Sequence, residues 1–140
     1  MKRILIASLL SIFSTATVAR AQYTDVPVFD NNGDFRSSRV DGNGGSYQHR
    51  QWLIVDTDPD GLNCRSDESF VVATLRYGSV VDSVFSSSQG DAIEMINGEP
   101  WLKVSASWID IRTEPSDPYI CYVRANINYI APINPDSQMQ

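Results

Sequence analysis

Basic side chains are scarce in this sequence, which has 11 lysines and arginines against 17 aspartates and glutamates in 140 residues. The formal net charge is −6, and the few basic residues form no cluster. Proteins that bind nucleic acids or anionic membranes attract them with grouped lysine and arginine side chains. The composition therefore argues against a nucleic-acid partner. The negative charge is more simply interpreted as a means of keeping the protein in solution.

Residue types that commonly carry out catalysis are also few. The one histidine, His49, lies in a polar stretch outside the apolar pattern. The sequence has no Gly-x-Ser-x-Gly motif, no phosphate-binding loop and no zinc-ligand spacing. Asp110 and Glu114 have the residue types of a glycosidase pair, but a solvated acidic loop explains them equally well. We therefore expect a non-catalytic protein that needs no cofactor.

Long apolar runs are absent after the first residues, and the run at the start has the features of a secretory signal. Lys2 and Arg3 form a positive segment, residues 4–18 are largely apolar, and Ala19-Arg20-Ala21 matches a small-x-small cleavage site. We predict a signal peptide over residues 1–21, export to the periplasm or beyond the cell, and no membrane insertion after cleavage. Cleavage would leave eight basic side chains against 17 acidic ones.

Cysteine occurs only twice, at Cys64 and Cys121. In an exported chain such a pair most simply forms one disulfide, because the compartments outside the cytosol are oxidising. A nucleophilic cysteine is the alternative, but it requires a base nearby, and the position of His49 in the sequence does not supply one. We therefore predict a disulfide between Cys64 and Cys121.

Three segments follow the predicted signal. Residues 22–50 are rich in Gly, Asn, Asp and Ser and poor in large apolar side chains, so we predict a flexible, loosely draped N-terminal segment. Residues 51–133 contain short runs of β-branched and aromatic residues between turn residues, which is typical of an all-β domain. So short a run of strands favours a small, partly open barrel over a sandwich. Residues 134–140 form a polar tail.

Four motifs between residues 52 and 132 resemble those of bacterial SH3-like domains, which occur in exported and cell-wall proteins. Residues 58–66 resemble the opening D-x-D-G-L-N-V-R-S run, and residues 75–81 resemble the L-x-x-G-x-x-V turn. Residues 101–104 resemble the W-x-K-V strand, and residues 121–130 resemble the closing G-W-V-x-x-x-Y-L strand. The order and spacing of the four motifs make the resemblance specific.

The resemblance implies an SH3-like β-barrel and a non-catalytic module that binds a cell-envelope component, either a polymer such as peptidoglycan or an envelope protein. Cys64 replaces a valine or leucine of the family pattern, and Cys121 replaces a glycine. Their places in the opening and closing strands imply that the two face each other, which supports the predicted disulfide. Residues 105–120 are longer than the family requires, so we interpret them as an insertion that faces a ligand.

Aromatic side chains are the candidates for ligand contact, because flat amphipathic rings stack on sugars and on peptide prolines. Trp108 and Tyr119 are the first choices, since they lie in or beside the predicted insertion. Trp101 and Tyr122 lie on core motifs, where packing inside the barrel is the favoured interpretation. Tyr77 is a further candidate.

Alternate aspartates form a weaker, metal-binding candidate. Asp56, Asp58, Asp60 and Asp67 follow most of the spacing of a calcium loop. However, Pro59 stiffens the interior of this loop, the flanks are strand-like, and the twelfth position is Asp instead of the usual Glu. We therefore expect no metal site.

The main functional hypothesis is an exported module that binds the cell envelope. The alternative is a structural or protein-interaction accessory, such as a subunit or an inhibitor-like partner, that pairs through an exposed strand edge. The sequence leaves the oligomeric state open.

Overall fold

The computed structural model describes residues 25–42, 45–67, 69–88, 90–106 and 119–134. The predicted signal peptide, Trp108 and the tail after residue 134 lie outside these ranges. Within them the protein is all-β, and no helix is present that could cross a membrane. The strands are β1 (Arg39–Gly42), β2 (Gly45–Gln48), β3 (Gln51–Ile54), β4 (Leu62–Arg65), β5 (Val71–Leu75), β6 (Val80–Ser83), β7 (Ile93–Ile96), β8 (Glu99–Ala106), β9 (Tyr119–Arg124) and β10 (Ile130–Pro132).

Two of the turns between these strands follow directly from their sequences. The Gly61 N–H donates to the Asp58 carbonyl over 2.9 Å, and the φ of Gly61 is 82°. A Cβ atom at this position would lie 2.7 Å from the backbone oxygen of Leu75, so both the conformation and the close approach of β5 require glycine. Asn97 and Gly98, with φ of 52° and 83°, form the predicted two-residue turn between β7 and β8.

The main sheet is antiparallel and is not closed into a complete barrel. Its strands follow the order β10-β3-β6-β8-β9-β4-β5, and β7 pairs with β8 beside this path. The first half of β8 pairs with β7, where Leu102 lies opposite Ile93. The second half pairs with β6, where Val104 lies opposite Ser83. The all-β fold class predicted from the sequence is confirmed, with β8 and β9 at the centre of the sheet.

Side chains alternate between a buried and a more exposed face along the strands, as the two-residue period of a strand requires. Trp52 and Ile54 in β3 are fully buried, and so are Leu102 and Val104 in β8, whereas the residue between each pair is half-buried. The core cluster consists of Phe35, Trp52, Ile54, Leu62, Cys64, Ala73, Leu75, Val81, Ala92, Ile93, Leu102, Val104, Cys121, Val123, Ala125 and Ile130.

The predicted disulfide between Cys64 and Cys121 is present. It joins the neighbouring strands β4 and β9, and the two Cα atoms are 5.6 Å apart. Both side chains are fully buried within the core cluster. Within the described residues, β4 and β9 share a single register pair, Arg65 opposite Tyr122. The covalent bond therefore links two strands that pair only briefly.

The N-terminal segment packs against the sheet, which differs from the loosely draped chain that we expected. Phe35 is 1% exposed, and its ring meets that of Trp52 edge-to-face with 5.1 Å between the centroids. Its backbone N–H donates to the Ala125 carbonyl over 2.9 Å. Burial of this large aromatic side chain contributes to the ordering of the segment, and composition alone does not show which side chain is buried.

A buried ion pair holds the same segment beside β9. The Asp34 carboxylate lies 3.0 Å from Arg124 Nη1 and accepts a hydrogen bond from Asn126 Nδ2 over 2.9 Å. Burial on its own raises the pKa of Asp34, but the hydrogen bonds from Asn126 and Arg124 outweigh it and hold the pKa below its ordinary value. Asp34 therefore stays charged in the folded protein, with its partners in place.

Asp91 anchors the start of β1 in a similar way. Its carboxylate accepts hydrogen bonds from the Ser38 hydroxyl (2.6 Å), from the backbone N–H groups of Ser38 (2.8 Å) and Ile93 (2.9 Å), and from the Ser37 hydroxyl. Burial raises the pKa of Asp91, but hydrogen bonds led by those from Ser37 and Ser38 outweigh it and lower the pKa overall. A polar stretch is thus fixed by part-buried hydrogen bonds to one carboxylate.

Candidate functional site

The face of the main sheet opposite Leu102 and Val104 carries two of the candidate aromatic residues. Tyr122 in β9 lies opposite Lys103 in β8 and also opposite Arg65 in β4. Lys103 Nζ is 5.4 Å from the centroid of the Tyr122 ring, which is within cation–π range. Trp101 is two residues before Lys103 on β8 and therefore shares its face. We call these four residues the aromatic row.

A pocket of about 80 Å³ lies beside the aromatic row, and we call it the Trp101 pocket. Its floor includes Trp101, which is half-buried, and Tyr122, which is 8% exposed. Its rim comes from the loop between β4 and β5 and from the turn between β7 and β8. The lining residues are Arg65, Ser66, Asp67, Ser69, Ile96, Asn97, Glu99, Trp101 and Tyr122.

Two residues on this rim adopt left-handed backbone conformations. Among the described residues, Ser69 (φ 72°) and Asn97 (φ 52°) are the non-glycine positions with positive φ. The hairpin turn explains Asn97, but Ser69 adopts a conformation that costs about 1–2 kcal/mol for an L-residue. The Ser69 carbonyl accepts a hydrogen bond from Arg65 Nη1 over 3.1 Å. This strained residue thus helps to hold Arg65 at the rim of the pocket.

The structure brings together some of the sequence-predicted ligand residues and separates others. Trp101 and Tyr122 meet in the Trp101 pocket, and neither belongs to the core cluster. Tyr119 is 41% exposed at the start of β9, and its odd spacing from Tyr122 places it on the opposite face of the strand. Tyr77 is 67% exposed in a separate open depression beside Asp58. Trp108 lies outside the described residues.

In the candidate calcium loop, two of the carboxylates accept hydrogen bonds from backbone N–H groups of the same loop. Asp56 Oδ1 accepts a hydrogen bond from the Asp58 N–H over 3.0 Å, and Asp58 Oδ1 accepts one from the Asp60 N–H over 2.9 Å. Asp67 lines the Trp101 pocket instead. Nowhere in the described ranges do three or more His, Cys, Asp or Glu side chains group to hold a metal ion.

A larger cleft, of about 1240 Å³, lies between the β1–β2 hairpin and the segment from Asp82 to Ser88. We call it the hairpin cleft. No local sequence pattern indicated this cleft, because its two walls are far apart along the chain. The lining residues are Arg39, Ser46, Tyr47, Gln48, His49, Arg50, Gln51, Asp82, Phe85, Ser87, Ser88 and Ile133.

His49 lies in the hairpin cleft and is 2% exposed, so our placement of it outside the core pattern was wrong. Its ring packs against Trp52, with 5.1 Å between the ring centroids, and its Nε2–H donates to the Gln51 carbonyl over 2.9 Å. Burial lowers the pKa of His49, because a charged imidazolium loses hydration there, and the Gln51 hydrogen bond opposes this only in part. The buried ring is therefore neutral near pH 7.

We expect the free energy of unfolding to fall as the pH drops from about 7 to 5. The unfolded chain takes up a proton at His49 near the ordinary pKa of about 6.5, whereas the folded protein does so only at lower pH. Urea denaturation at several pH values measures how steeply the free energy of unfolding changes with pH. In the variant His49→Gln most of this pH dependence should disappear, since this chain has no other histidine. Equal slopes in both proteins would contradict a neutral, buried His49.

Sequence reasoning missed the cations that flank Tyr122. Lys103 could have been assigned to the face of Trp101 from the two-residue strand period. The position of Arg65 could not, because it depends on the pairing of β4 with β9, which joins distant parts of the chain.

Comparisons of the chain with protein-family models, with curated proteins and with solved structures found no match in any of the three. The functional interpretation therefore rests on the residues and contacts of this chain.

Proposed function

We propose that this protein is an exported, non-catalytic binding module of the bacterial SH3-like type, which recognises a cell-envelope component such as peptidoglycan. The aromatic row and the Trp101 pocket form its contact surface. This surface combines a half-buried indole ring that lines a pocket, where it can stack on a sugar, with two cations placed on either side of a tyrosine. That arrangement is the observation that carries the proposal.

The positions of the four sequence motifs support the SH3-like assignment. Residues 58–66 end in β4, residues 75–81 connect β5 to β6, residues 101–104 lie in β8, and residues 121–130 run from β9 to β10. All four fall on strands of one antiparallel sheet. The motifs are thus adjacent in space as well as ordered in sequence.

The buried disulfide supports export. A structural disulfide persists in oxidising compartments, such as the periplasm or the extracellular medium, and is rare in the cytosol. The signal-like features of residues 1–21 point the same way.

Purified peptidoglycan sacculi should retain the wild-type protein in a sedimentation assay. We expect Trp101→Ala to reduce retention about tenfold, because losing one stacking contact of about 1.4 kcal/mol changes an equilibrium constant by that factor. Tyr77→Ala is the matched control: it also removes an accessible aromatic ring, but from the depression beside Asp58, and retention should not change. Trp108→Ala and Tyr119→Ala test the remaining sequence candidates.

Circular dichroism of each variant separates lost binding from lost folding, because Trp101 is half-buried. Wild-type protein left wholly in the supernatant would contradict binding to peptidoglycan.

A protein-interaction role is the second candidate, and the free edge of β5 favours it. Among the described strands, β5 is the last on its side of the sheet, and exposed apolar side chains lie at its start: Phe70, just before it, is 68% exposed, Val71 49% and Val72 38%. An edge of this kind can pair with a strand of another protein. Val71→Lys should abolish such pairing and leave sacculus retention unchanged.

A further inference from the structure

The hairpin cleft shares no lining residue with the Trp101 pocket, and one of its walls precedes the first SH3-like motif. Neither the motifs nor the proposed contact surface accounts for it. We propose that the hairpin cleft is a second binding site, and that its ligand is a carboxylate-bearing sugar.

The base of the hairpin, where β1 begins and β2 ends, is fixed by contacts with the main sheet and the Asp91 segment. Before β1, Ser38 is fully buried and bound through its hydroxyl and its N–H to Asp91. After β2, the His49 N–H donates to the Ser38 carbonyl over 2.8 Å, and the His49 ring packs on Trp52. The wall is therefore fixed before a ligand arrives, which lowers the entropic cost of binding.

Arg50 supplies an available positive charge in this cleft. Its side chain is exposed and makes no hydrogen bond or ion pair in the part of the chain that the structure describes. Arg39, by contrast, donates to Ser46 Oγ over 2.6 Å and lies 3.7 Å from Asp41 Oδ1. The acidic residue of the lining, Asp82, accepts a hydrogen bond from Gln51 over 3.4 Å. A carboxylate is the natural partner of the Arg50 guanidinium.

The rest of the lining suits a sugar ring. The half-buried rings of Tyr47 and Phe85 can stack on the C–H face of a sugar, while hydroxyl and amide groups nearby, such as Ser87 and Gln48, can bond its hydroxyls. Ser46, Tyr47 and Gln48 follow one another in β2 and all line the cleft, so the cleft runs along this strand, which offers it both the Tyr47 ring and the Gln48 amide.

Amide chemical shifts of the ¹⁵N-labelled protein provide the test. Methyl glucuronide, methyl glucoside and acetate serve as probes, because the first two differ only in their carboxylate and the third is a carboxylate without a ring. We expect methyl glucuronide to shift the amide signals from Tyr47 to Gln51 and from Asp82 to Ser88. The other two probes should bind at least fivefold more weakly. Arg50→Gln should weaken binding about tenfold, the loss of about 1.4 kcal/mol. Arg76→Gln is the matched control, with an exposed arginine outside the cleft.

Three outcomes would overturn the proposal: no shifts at roughly 20 mM probe, well above a 1 mM dissociation constant; equal shifts with methyl glucoside or acetate; or shifts confined to the Trp101 pocket. Trp101→Ala should bind methyl glucuronide as the wild type does. The two experiments are therefore independent. Sacculus retention can be observed without glucuronide binding in the hairpin cleft, and glucuronide binding can be observed without sacculus retention.

Discussion

Replacing Phe35 by alanine is expected to lower the free energy of unfolding by about 3–5 kcal/mol, the range measured for truncating a buried phenylalanine. The ring is 1% exposed, packs edge-to-face on Trp52 and belongs to the core cluster. Its removal leaves a cavity at the point where the N-terminal segment joins the sheet. Urea denaturation measures the loss, and stability of a domain of this size is itself only about 5–15 kcal/mol.

Phe29→Ala is the matched control for this experiment. Phe29 is 56% exposed and touches the edge of the Phe35 ring, with 6.0 Å between the centroids. Because little of its surface is buried, we expect a loss below about 1 kcal/mol. If the two substitutions cost the same, the N-terminal segment does not pack on the sheet in solution.

The second large effect is expected from removing the disulfide. The double variant Cys64→Ala and Cys121→Ala should lose about 2–5 kcal/mol, because the bridge joins residues 57 positions apart and restricts the unfolded chain. Alanine is preferable to serine here, since both positions are fully buried and a hydroxyl would lack a partner.

Mass spectrometry of the non-reduced wild type provides the matching covalent test. No alkylatable thiol should be found, since both cysteines are bonded to each other. Two free thiols, or a double variant as stable as the wild type, would show that the bridge does not hold β4 to β9.

Within residues 51–133, the strands and turns that the structure describes were largely predictable because their determinants are local. Asn97-Gly98 specifies a hairpin through its backbone preferences, and alternation in β3 and β8 marks which side chains are buried. The packing of Phe35 and His49 was not predictable in this way. Each fits a place on the sheet that is built by strands elsewhere in the chain, so the surrounding sequence gives no sign of it.

The candidate sites show the same division. Trp101 and Tyr122 were recognisable as aromatic residues on shared motifs, but the side of the sheet on which they lie together depends on the pairing of β8 with β9. The sequence favoured packing inside the barrel for both, and Tyr122 is indeed buried, at 8% exposure, although outside the core cluster. The alternation that buries Leu102 places Trp101 on the other side of the strand, where it lines a pocket.

By itself, the sequence determined the all-β class, the positions of the tight turns and the pairing of the two cysteines, because each depends on short patterns or on the small number of possible partners. Only the tertiary structure decided how the polar N-terminal segment is held, which face of the sheet carries Trp101, and that the hairpin cleft exists. These features arise from contacts between residues tens of positions apart, such as Ser38 with Asp91 and Arg65 with Tyr122. Such contacts depend on sheet order and register, which no local pattern encodes.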